Sequence, residues 1–347
     1  MNVLGLISSL TDPSSRARIL QYKPYFAEQS INLNTKYFKP LSNADPAKWM
    51  FTARKISRIN PWRFLCIQRT ISRLPLLFQQ YHYDLIWQNR LLIPHQSFYE
   101  KRYTKPFVFD FDDAIWLYDG KRNVGDAISR SNIVFAGNEY LANFALKYNK
   151  ETILIPSVID TKKLFPLNKE STIFTIGWVG SVSNLIYLGL VKDAILEFLA
   201  KNPNSRFMVV SSEPGNIFDY DNERILFRKW SAENENSLIN EFSVGIMPLT
   251  ETLFNKGKCS YKMLQYMACG KPVIVSPVGM NNKILSDNMV GFGAVEKQEW
   301  FDFFVKFIND KEMRIHLGEN GRKVIEEQYS CTSITPKIIS EFKKLIH

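Results

Sequence analysis

The sequence contains little cysteine and histidine, and neither residue type is clustered. Its four cysteines include no CxxC pair, and its four histidines are equally scattered along the 347 residues. This pattern argues against a zinc site and favours reduced thiols over a disulfide framework, so we expect no metal. No GxGxxG motif follows the first predicted strand, which argues against a nicotinamide or flavin cofactor.

Long apolar runs are also missing. No segment approaches the ~20 consecutive apolar residues that a membrane-spanning helix needs. The N-terminal residues MNVLGLISSL carry no basic leader, so we expect no signal peptide. Hydrophobic residues make up 45% of the sequence and charged residues 22%, a composition typical of soluble globular proteins. We therefore predict a cytoplasmic protein.

The positive charge is concentrated in one half of the chain. The formal net charge is +10. Residues 1–165 contain 23 Lys and Arg against 13 Asp and Glu, whereas residues 166–347 contain 21 of each kind. Eleven basic residues fall between Lys48 and Lys105, where only Asp84 and Glu100 oppose them. This asymmetry predicts that the first half meets an anionic partner.

The order of the predicted elements indicates two domains. Strand-like and helix-like segments alternate twice along the chain, as in parallel sheets covered by helices on both faces. A polar, proline-flanked spacer at Ser157–Pro166 marks the boundary. We predict an α/β fold of two facing, Rossmann-like, doubly wound domains over residues 1–165 and 166–330. A C-terminal helix over residues 331–347 is expected to pack back on the first domain.

The strongest local signal lies in the second half. Gly245–Asn282 reads GIMPLTETLFNKGKCSYKMLQYMACGKPVIVSPVGMNN, in which a polar loop containing Lys256 separates a buried strand from a helix that begins near Cys259. The free N–H groups and positive dipole end of a helix start bind anions well. This segment therefore predicts a phosphate site, with a solvated basic helix start as the alternative.

Three polar side chains share one face of that predicted helix. Lys258 and Lys262 lie four residues apart, and Gln265 follows three residues later. The two lysines are candidates for phosphate binding. The amide of Gln265 can both donate to and accept from ribose hydroxyls.

A second candidate donor loop follows the predicted strand Phe174–Val179 and precedes a predicted helix over Leu185–Ala200. Gly180 and Ser181 lie at this turn, where the chain can approach phosphate or sugar oxygens closely. Asn184 can add an amide contact. A plain turn and helix cap is the alternative.

Adjacent carboxylates follow an apolar strand in the first half. Asp112 and Asp113 lie within Asp110–Trp116, DFDDAIW. Because neighbouring carboxylates disfavour joint ionisation, one is expected to have a raised pKa and to act as a base for an acceptor hydroxyl. The alternatives are hydrogen bonding to sugar hydroxyls and capping of the following turn.

Ser15 and Arg16 come soon after the first strand. Arg16 is placed to meet a phosphate of the donor or the acceptor, with a surface arginine as the alternative.

Basic and aromatic residues are interleaved through residues 49–80. They are Arg54, Lys55, Arg58, Arg63, Arg69 and Arg73, with Trp49, Phe51, Trp62, Phe64 and Phe78. This mixture suits an anionic bilayer surface. It predicts peripheral association with the inner face of the cytoplasmic membrane, with a solvated helical face as the alternative.

These segments together resemble glycosyltransferase family 4. Gly245–Asn282 is similar to its donor-binding motif, in the branch with the pattern GKC-x-x-K-x-x-QYMA-x-G-x-PV-x-x-SPVG-x-N. Further similar segments are Ser15–Tyr25, Asp110–Trp116, Gly137–Ala145, Pro156–Asp160, Ile176–Asn184 and Gly318–Ser330.

The resemblance implies a GT-B enzyme. In such enzymes the C-terminal domain holds a UDP-, GDP- or dTDP-sugar and the N-terminal domain holds the acceptor. Transfer is metal-independent, usually with retention at the anomeric carbon, and no further cofactor is implied. Trp230 falls where relatives bind the nucleobase. Asp112 falls at about the position where many relatives carry a histidine beside the reacting sugar.

The sequence departs from the family at two positions. Many members carry two glutamates eight residues apart, and here the matching positions are Gly257 and Gln265. The separate roles that the two glutamates have in those members therefore cannot be assigned to this sequence.

We predict transfer of a hexosyl or deoxyhexosyl group to a saccharide or lipid-linked acceptor in bacterial surface polysaccharide synthesis, such as lipopolysaccharide or capsule. The alternatives are a sugar-nucleotide epimerase of the same build and a non-catalytic protein that binds sugar or nucleic acid. Nucleic acid is not the expected partner, because no recognised binding motif accompanies the charge.

Overall fold

The computed structural model describes residues 1–37, 61–167 and 171–346. The chain divides into two compact units, Met1–Ile155 with Thr335–His347, and Pro156–Ile334. The acceptor and donor roles given to the two predicted domains stay predictions. Within the described ranges, no helix has both the length and the apolar character to cross a membrane.

In the described residues of the first unit, six strands form one parallel sheet in the order β2-β1-β3-β4-β5-β6. The strands are β1 Asn2–Ile7, β2 Asn32–Tyr37, β3 Leu85–Asn89, β4 Phe107–Phe111, β5 Ile133–Ala136 and β6 Thr152–Leu154. Every residue of β3, β4 and β5 is buried. Near-continuous apolar strands of this kind are expected in a parallel sheet covered on both faces.

Short helices connect these strands. They are α1 Pro13–Arg18, α2 Lys23–Glu28, α3 Pro61–Arg73, α4 Leu76–Gln79, α5 Trp116–Asp119, α6 Lys121–Arg130 and α7 Glu139–Ala145, with 3₁₀ turns at Leu20–Tyr22 and Gln80–His82. Asp12 caps α1 by accepting from the Ser15 amide, and Asn138 caps α7 by accepting from the Leu141 amide.

In the described residues of the second unit, another six-stranded parallel sheet has the order β12-β11-β10-β7-β8-β9. Its strands are β7 Phe174–Val179, β8 Ser205–Ser211, β9 Ile225–Lys229, β10 Val244–Met247, β11 Val273–Val275 and β12 Gly291–Gly293. Its helices are α8 Lys192–Lys201, α9 Glu235–Asn240, α10 Leu253–Lys256, α11 Tyr261–Ala268, α12 Met280–Asp287, α13 Lys297–Asn309 and α14 Lys311–Gln328. A buried cluster that includes Trp178, Phe198, Phe207 and Trp300 fills the core beside β7 and β8.

The last helix, α15, spans Cys331–Ile346. Its aromatic side chain Phe342 is fully buried and contacts the rings of Phe26, Trp87 and Phe135, at centroid distances of 6.0, 5.4 and 5.9 Å. The segment from Thr335 onward thus contributes to the core of the first unit.

One predicted helix differs in type. The segment expected to form an α-helix over Leu185–Ala200 is a 3₁₀ helix over Val182–Leu190, followed by α8. Its buried residues Leu185, Leu188 and Val191 recur every third position, which is the period of a 3₁₀ helix. The sequence analysis also missed β2 and β12.

Candidate functional site

The sheet of the second unit has a topological switch between β7 and β10. These two strands are neighbours, with β8 and β9 extending the sheet on one side and β11 and β12 on the other. The chain segments that follow these two strands run to opposite sides of the sheet, and this opens a crevice at the carboxyl ends of the strands. Open α/β sheets bind ligands in such crevices. Gly180 directly follows β7, and Lys256 and Lys258 follow β10.

Gly180 lies against the side chain of Lys262. A Cβ atom at Gly180 would be 2.6 Å from Lys262 Cε and 2.7 Å from the indole of Trp178. Only glycine therefore fits here without displacing its neighbours. The Nζ atom of Lys262 is 5.7 Å from the centre of the Trp178 ring, close enough for a cation–π interaction. The structure thus brings together two residues that were predicted from separate segments.

Ser181 and Asn184 bind each other. The Asn184 side-chain amide donates to Ser181 Oγ at 2.7 Å, and its backbone amide donates to the Ser181 carbonyl at 2.9 Å. A third contact, of 3.1 Å, joins the hydroxyls of Ser181 and Ser183. These contacts form a local cap at the start of the 3₁₀ helix, so a structural role is evident and the donor role stays a prediction.

Helix α11 begins at Tyr261, two residues later than expected. Ser260 precedes it in the left-handed conformation, with φ of 53°. Lys258 therefore lies in the loop, and the prediction that Lys258 and Lys262 share one helical face was wrong. The Nζ atom of Lys258 lies 4.9 Å from the centre of the Phe254 ring.

Lys256 ends the short helix α10 and has a carboxylate partner. Its Nζ atom is 2.8 Å from Glu251 Oε1, in a largely exposed ion pair. Its backbone is in contact with Gly279, where a Cβ atom would be 2.7 Å from the Lys256 carbonyl oxygen. Gly279 has φ of +55° and precedes α12, so this loop requires glycine for conformation as well as space.

Gln265 and Trp230 are joined through a residue that the sequence analysis missed. Gln265 Nε2 donates to Glu235 Oε1 at 2.9 Å, and Trp230 Nε1 donates to the same oxygen at 2.7 Å. Glu235 and Gln265 are both buried. The only sequence signal was that Glu235 falls in the first turn of a helix predicted over Glu233–Glu241, where acidic residues are common for other reasons.

The first unit has an equivalent switch between β1 and β3. Arg90 follows β3, and its guanidinium binds both predicted carboxylates. Nε and Nη2 donate to Asp112 Oδ1 at 3.0 and 2.8 Å, and Nη2 donates to Asp113 Oδ2 at 2.6 Å. The hydroxyl of Ser14, which follows β1, also donates to Asp112 Oδ1, at 2.6 Å.

These contacts change the expected chemistry of Asp112. Burial would raise its pKa, but the positive charges of Arg90 and Arg18 outweigh burial. The pKa of Asp112 therefore lies below its ordinary value, so Asp112 is not the carboxyl group with the raised pKa that was expected for one member of the pair. An ionised carboxylate bound to arginine is suited to orienting polar groups rather than to taking up a proton.

A second, deeper ion pair lies beneath this cluster. Arg18 Nε is 2.7 Å from Asp110 Oδ1, with both side chains almost fully buried. Arg18 Nη1 donates to the Ile155 carbonyl at 2.7 Å, and Trp87 Nε1 donates to Asp110 Oδ2 at 3.0 Å. Burial would lower the pKa of Arg18, but the attraction of Asp110 raises it above the ordinary value. A single acidic residue within the apolar strand PFVFDF was the signal that could have identified this pair.

Ser15 is not available to a ligand in this arrangement. It has no exposed surface, and its hydroxyl donates to Asp12 Oδ2 at 2.8 Å while accepting from the Ser8 amide at 3.2 Å. The predicted phosphate contact therefore lacks support at Ser15. Arg16 is partly exposed on the same helix, and its role stays a prediction.

The basic and aromatic segment is described only in part. Trp49, Phe51, Arg54, Lys55 and Arg58 lie outside the described residues, and Trp62, Arg63 and Phe64 lie on α3. Arg73 does not face solvent as a membrane contact would. It is buried, donates to the Leu92 carbonyl, and has its pKa lowered to about 10 by burial.

Four apolar side chains near that segment are exposed. They are Ile67 at 51%, Ile71 at 57%, Leu74 at 40% and Phe78 at 75%. Ile67 and Ile71 lie one turn apart on α3, Leu74 lies in the turn that follows this helix, and Phe78 lies on α4. We call this set the exposed stripe.

No three or more His, Cys, Asp or Glu side chains within residues 1–37, 61–167 and 171–346 are grouped so that they could hold a metal ion. Cys66, Cys259, Cys269 and Cys331 form no disulfide bonds. Burial raises the pKa of Cys269 to about 12, so this thiol stays protonated and unreactive at neutral pH.

The part of the chain that matches a known protein family lies within the second unit. Residues 173–310 match the profile of the family described as "Glycosyl transferases group 1". No curated protein sequence is significantly similar to the chain.

Solved structures match this chain along nearly its full length. Sucrose-phosphate synthase from Thermosynechococcus elongatus superposes with a TM-score of 0.72 at 15% identity, covering 99% of each chain. HepE from Anabaena, in complex with UDP and glucose, has a TM-score of 0.69 at 13% identity, covering 98% of this chain and 99% of its own. TarM from S. aureus, in complex with fondaparinux, alpha-GlcNAc-glycerol and UDP, has a TM-score of 0.68 at 10% identity, covering 98% and 99%.

The chain has the GT-B fold. All predicted donor residues, from Gly180 to Gln265, fall within the range that matches the family profile, whereas Ser15, Arg16, Asp112 and Asp113 lie outside it.

Proposed function

We propose that this protein is a glycosyltransferase that moves a sugar from a nucleoside diphosphate sugar to a saccharide or lipid-linked acceptor. The observation that carries the proposal is the switch between β7 and β10, where the side chain of Lys262 lies across Gly180. It falls in the range that matches a glycosyltransferase family profile, on a fold whose solved examples include proteins bound to UDP.

The diphosphate is expected to bind at this switch. Lys262 and the N-terminal turn of α11 offer positive charge and backbone N–H groups, which stabilise the negative charge that develops on the leaving diphosphate. Lys258, on the loop that precedes the helix, is placed to add to this charge. Such stabilisation does not require a metal, and metal-independent transfer is part of the proposal.

We assign the carboxylates of the first unit to acceptor binding. Because Arg90 and Ser14 hold Asp112 in its ionised form, Asp112 and Asp113 are suited to accept hydrogen bonds from sugar hydroxyls. Retention at the anomeric carbon and a role in bacterial surface polysaccharide synthesis are further proposals, based on the family resemblance.

Nucleoside diphosphates are expected to stabilise the protein against heat. A ligand that binds only the folded form at a concentration of 100 times its Kd adds about 2.7 kcal/mol of stability. We propose a thermal-shift screen of UDP, GDP, ADP and dTDP with their sugars, starting with UDP because HepE and TarM bind it. If none of these ligands changes Tm, the proposal is wrong.

The alternative functions predict different outcomes in the same assays. An epimerase of this build would convert the donor sugar without any acceptor, so incubation with donor alone separates it from a transferase. A nucleic-acid-binding protein would shift an oligonucleotide in a gel, with affinity falling steeply as salt rises.

We further propose that the exposed stripe binds the surface of an anionic membrane. Its four apolar side chains are accompanied by the basic excess of residues 48–105, and the two together match a bilayer with anionic headgroups. A lipid-linked acceptor would lie at that surface.

Vesicle flotation tests the membrane proposal. The protein should float with phosphatidylglycerol vesicles at low salt and not with neutral vesicles, because each basic residue near the surface adds about 1 kcal/mol of attraction. Phe78→Glu should reduce vesicle binding by roughly tenfold or more, because an apolar side chain is replaced by a charge that anionic lipid repels. Leu146→Glu is the matched control, since Leu146 is also exposed but lies outside the stripe. Equal loss in both variants, or no flotation of the wild type, would refute the proposal.

A further inference from the structure

Arg90, which binds both candidate carboxylates of the first unit, has a backbone conformation that is rare for its residue type. Its φ is 58°, in the left-handed region, and it directly follows β3. This conformation is unfavourable for residues other than glycine, so it persists only where the surrounding contacts enforce it. The contacts that enforce it here are therefore candidates for a role at the site.

Two hydrogen bonds among the described residues hold the backbone of Arg90 in this turn. Its amide donates to the Asp110 carbonyl at 2.8 Å, which extends the ladder between β3 and β4 by one residue. Its carbonyl accepts from Gln88 Nε2, also at 2.8 Å. The second bond comes from a side chain, so Gln88 closes the turn.

The side-chain amide of Gln88 can take only one orientation. A backbone carbonyl accepts hydrogen bonds and cannot donate them, so Nε2 and not Oε1 must face Arg90. Nε2 also donates to Glu100 Oε1 at 2.5 Å, and Oε1 accepts from the Tyr103 hydroxyl at 2.7 Å. Gln88 and Glu100 are too buried for a substrate to reach, so these contacts serve the turn and not a ligand.

The guanidinium of Arg90 depends on the same turn. It binds Asp112 through Nε and Nη2, and Asp113 through Nη2. The direction of a side chain follows from the backbone dihedrals of its residue, so releasing the turn would move the guanidinium relative to both carboxylates.

We propose that Gln88 is a positioning residue of the acceptor site, which holds the turn at Arg90 and, through Arg90, the orientation of Asp112 and Asp113. Glu100 and Tyr103 support it by fixing its amide. The inference rests on the proposed function, in which the two carboxylates accept hydrogen bonds from hydroxyl groups of the acceptor. Carboxylates held in one orientation bind these hydroxyls with little further loss of side-chain freedom.

Side-chain NMR of Arg90 tests the positioning directly. An Nε–H group that is bound to carboxylates exchanges slowly with water, and the Arg90 signal is assigned by its loss in Arg90→Lys. Gln88→Met should speed this exchange by about tenfold or more, which is the effect of losing one hydrogen bond between buried groups.

Gln80→Met is the matched control for Gln88→Met. Gln80 is almost as buried, and its side chain bonds the Leu77 carbonyl and the Thr104 amide but not Arg90. This variant loses buried hydrogen bonds of the same kind, and it should leave the exchange at Arg90 within about twofold of the wild type.

Kinetics separate positioning from a general loss of stability. The assay uses the donor identified by thermal shift, with 4-nitrophenyl glycosides of neutral hexoses as acceptors. Gln88→Met should raise the acceptor KM by about tenfold. The donor KM should stay within about twofold, because the candidate donor residues lie in the other unit. Gln80→Met should change neither constant.

A conservative pair of variants at residue 100 provides a second test. Glu100→Gln keeps an oxygen that accepts from Gln88, so the exchange at Arg90 should stay within about threefold of the wild type. Glu100→Leu offers no acceptor and should speed the exchange by about fivefold or more. If Gln88→Met does not fold, this pair decides, since equal exchange in the two variants would overturn the inference.

The outcomes distinguish the inference from the function on which it rests. If Gln88→Met folds and changes neither the exchange nor the acceptor KM, or if Gln80→Met changes them equally, the inference is wrong and the transferase proposal stands. Faster exchange with an unchanged acceptor KM would also overturn it. If the wild type transfers no sugar while the exchange responds as expected, the acceptor role fails with the proposed function, and the link from Gln88 to Arg90 is retained.

Discussion

Replacing Asp110 with alanine is expected to destabilise the first unit by about 3–5 kcal/mol, because the substitution leaves the charge of Arg18 buried without a partner. The Trp87 indole would lose its acceptor as well. Chemical denaturation, followed by Trp fluorescence and circular dichroism, measures the effect. The chain has two compact units, so the transition of the first unit must be resolved from that of the second.

Two companion variants make the Asp110 result interpretable. Asp126→Ala removes the carboxylate of a surface pair with Lys101 and should cost no more than about 1 kcal/mol. The double variant Asp110→Leu with Arg18→Leu should be more stable than Asp110→Ala, because it removes both charges and keeps apolar volume in the core. Equal stability of Asp110→Ala and Asp126→Ala would show that the buried pair does not stabilise the fold as argued.

The central strands could be predicted from the sequence because burial on both faces makes them nearly continuous apolar runs. Phe174–Val179, for example, was predicted with its observed bounds. Strand β2, with the sequence NLNTKY, was missed because it alternates polar and apolar residues at the edge of its sheet. Strand β12 is three residues long and contains two glycines, which gives no strand-like pattern.

The candidate site could be predicted only where its members are close in sequence or follow recognisable strands. Gly180 and Lys262 were found in this way. Glu235 and Arg90 were missed because their importance comes from partners 30 residues away in Gln265 and 22 residues away in Asp112. Spacing in a single sequence says nothing about such contacts. Nor could it show which of the two adjacent carboxylates keeps a low pKa, because that depends on the charges of Arg90 and Arg18.

Replacing Lys262 with methionine is expected to slow glycosyl transfer by roughly 10²–10³-fold. This is the loss typical of removing one group that stabilises charge in the transition state. The methionine keeps most of the apolar length of the side chain beside Trp178 and Gly180, so the fold should be retained. The measurement is kcat/KM with the donor identified by thermal shift, together with Tm of each variant.

The control for Lys262 is another lysine of the same unit. Lys283→Met removes a cation that forms a surface pair with Asp287 on α12, and it should change the rate by less than about threefold.

Gly180→Ala offers independent support, because its Cβ atom would displace the Lys262 side chain without removing its charge. We expect a smaller but clear loss there. If Lys262→Met keeps more than a tenth of the wild-type rate while Lys258→Met does not, the diphosphate is held by the loop before α11 and not by the helix face.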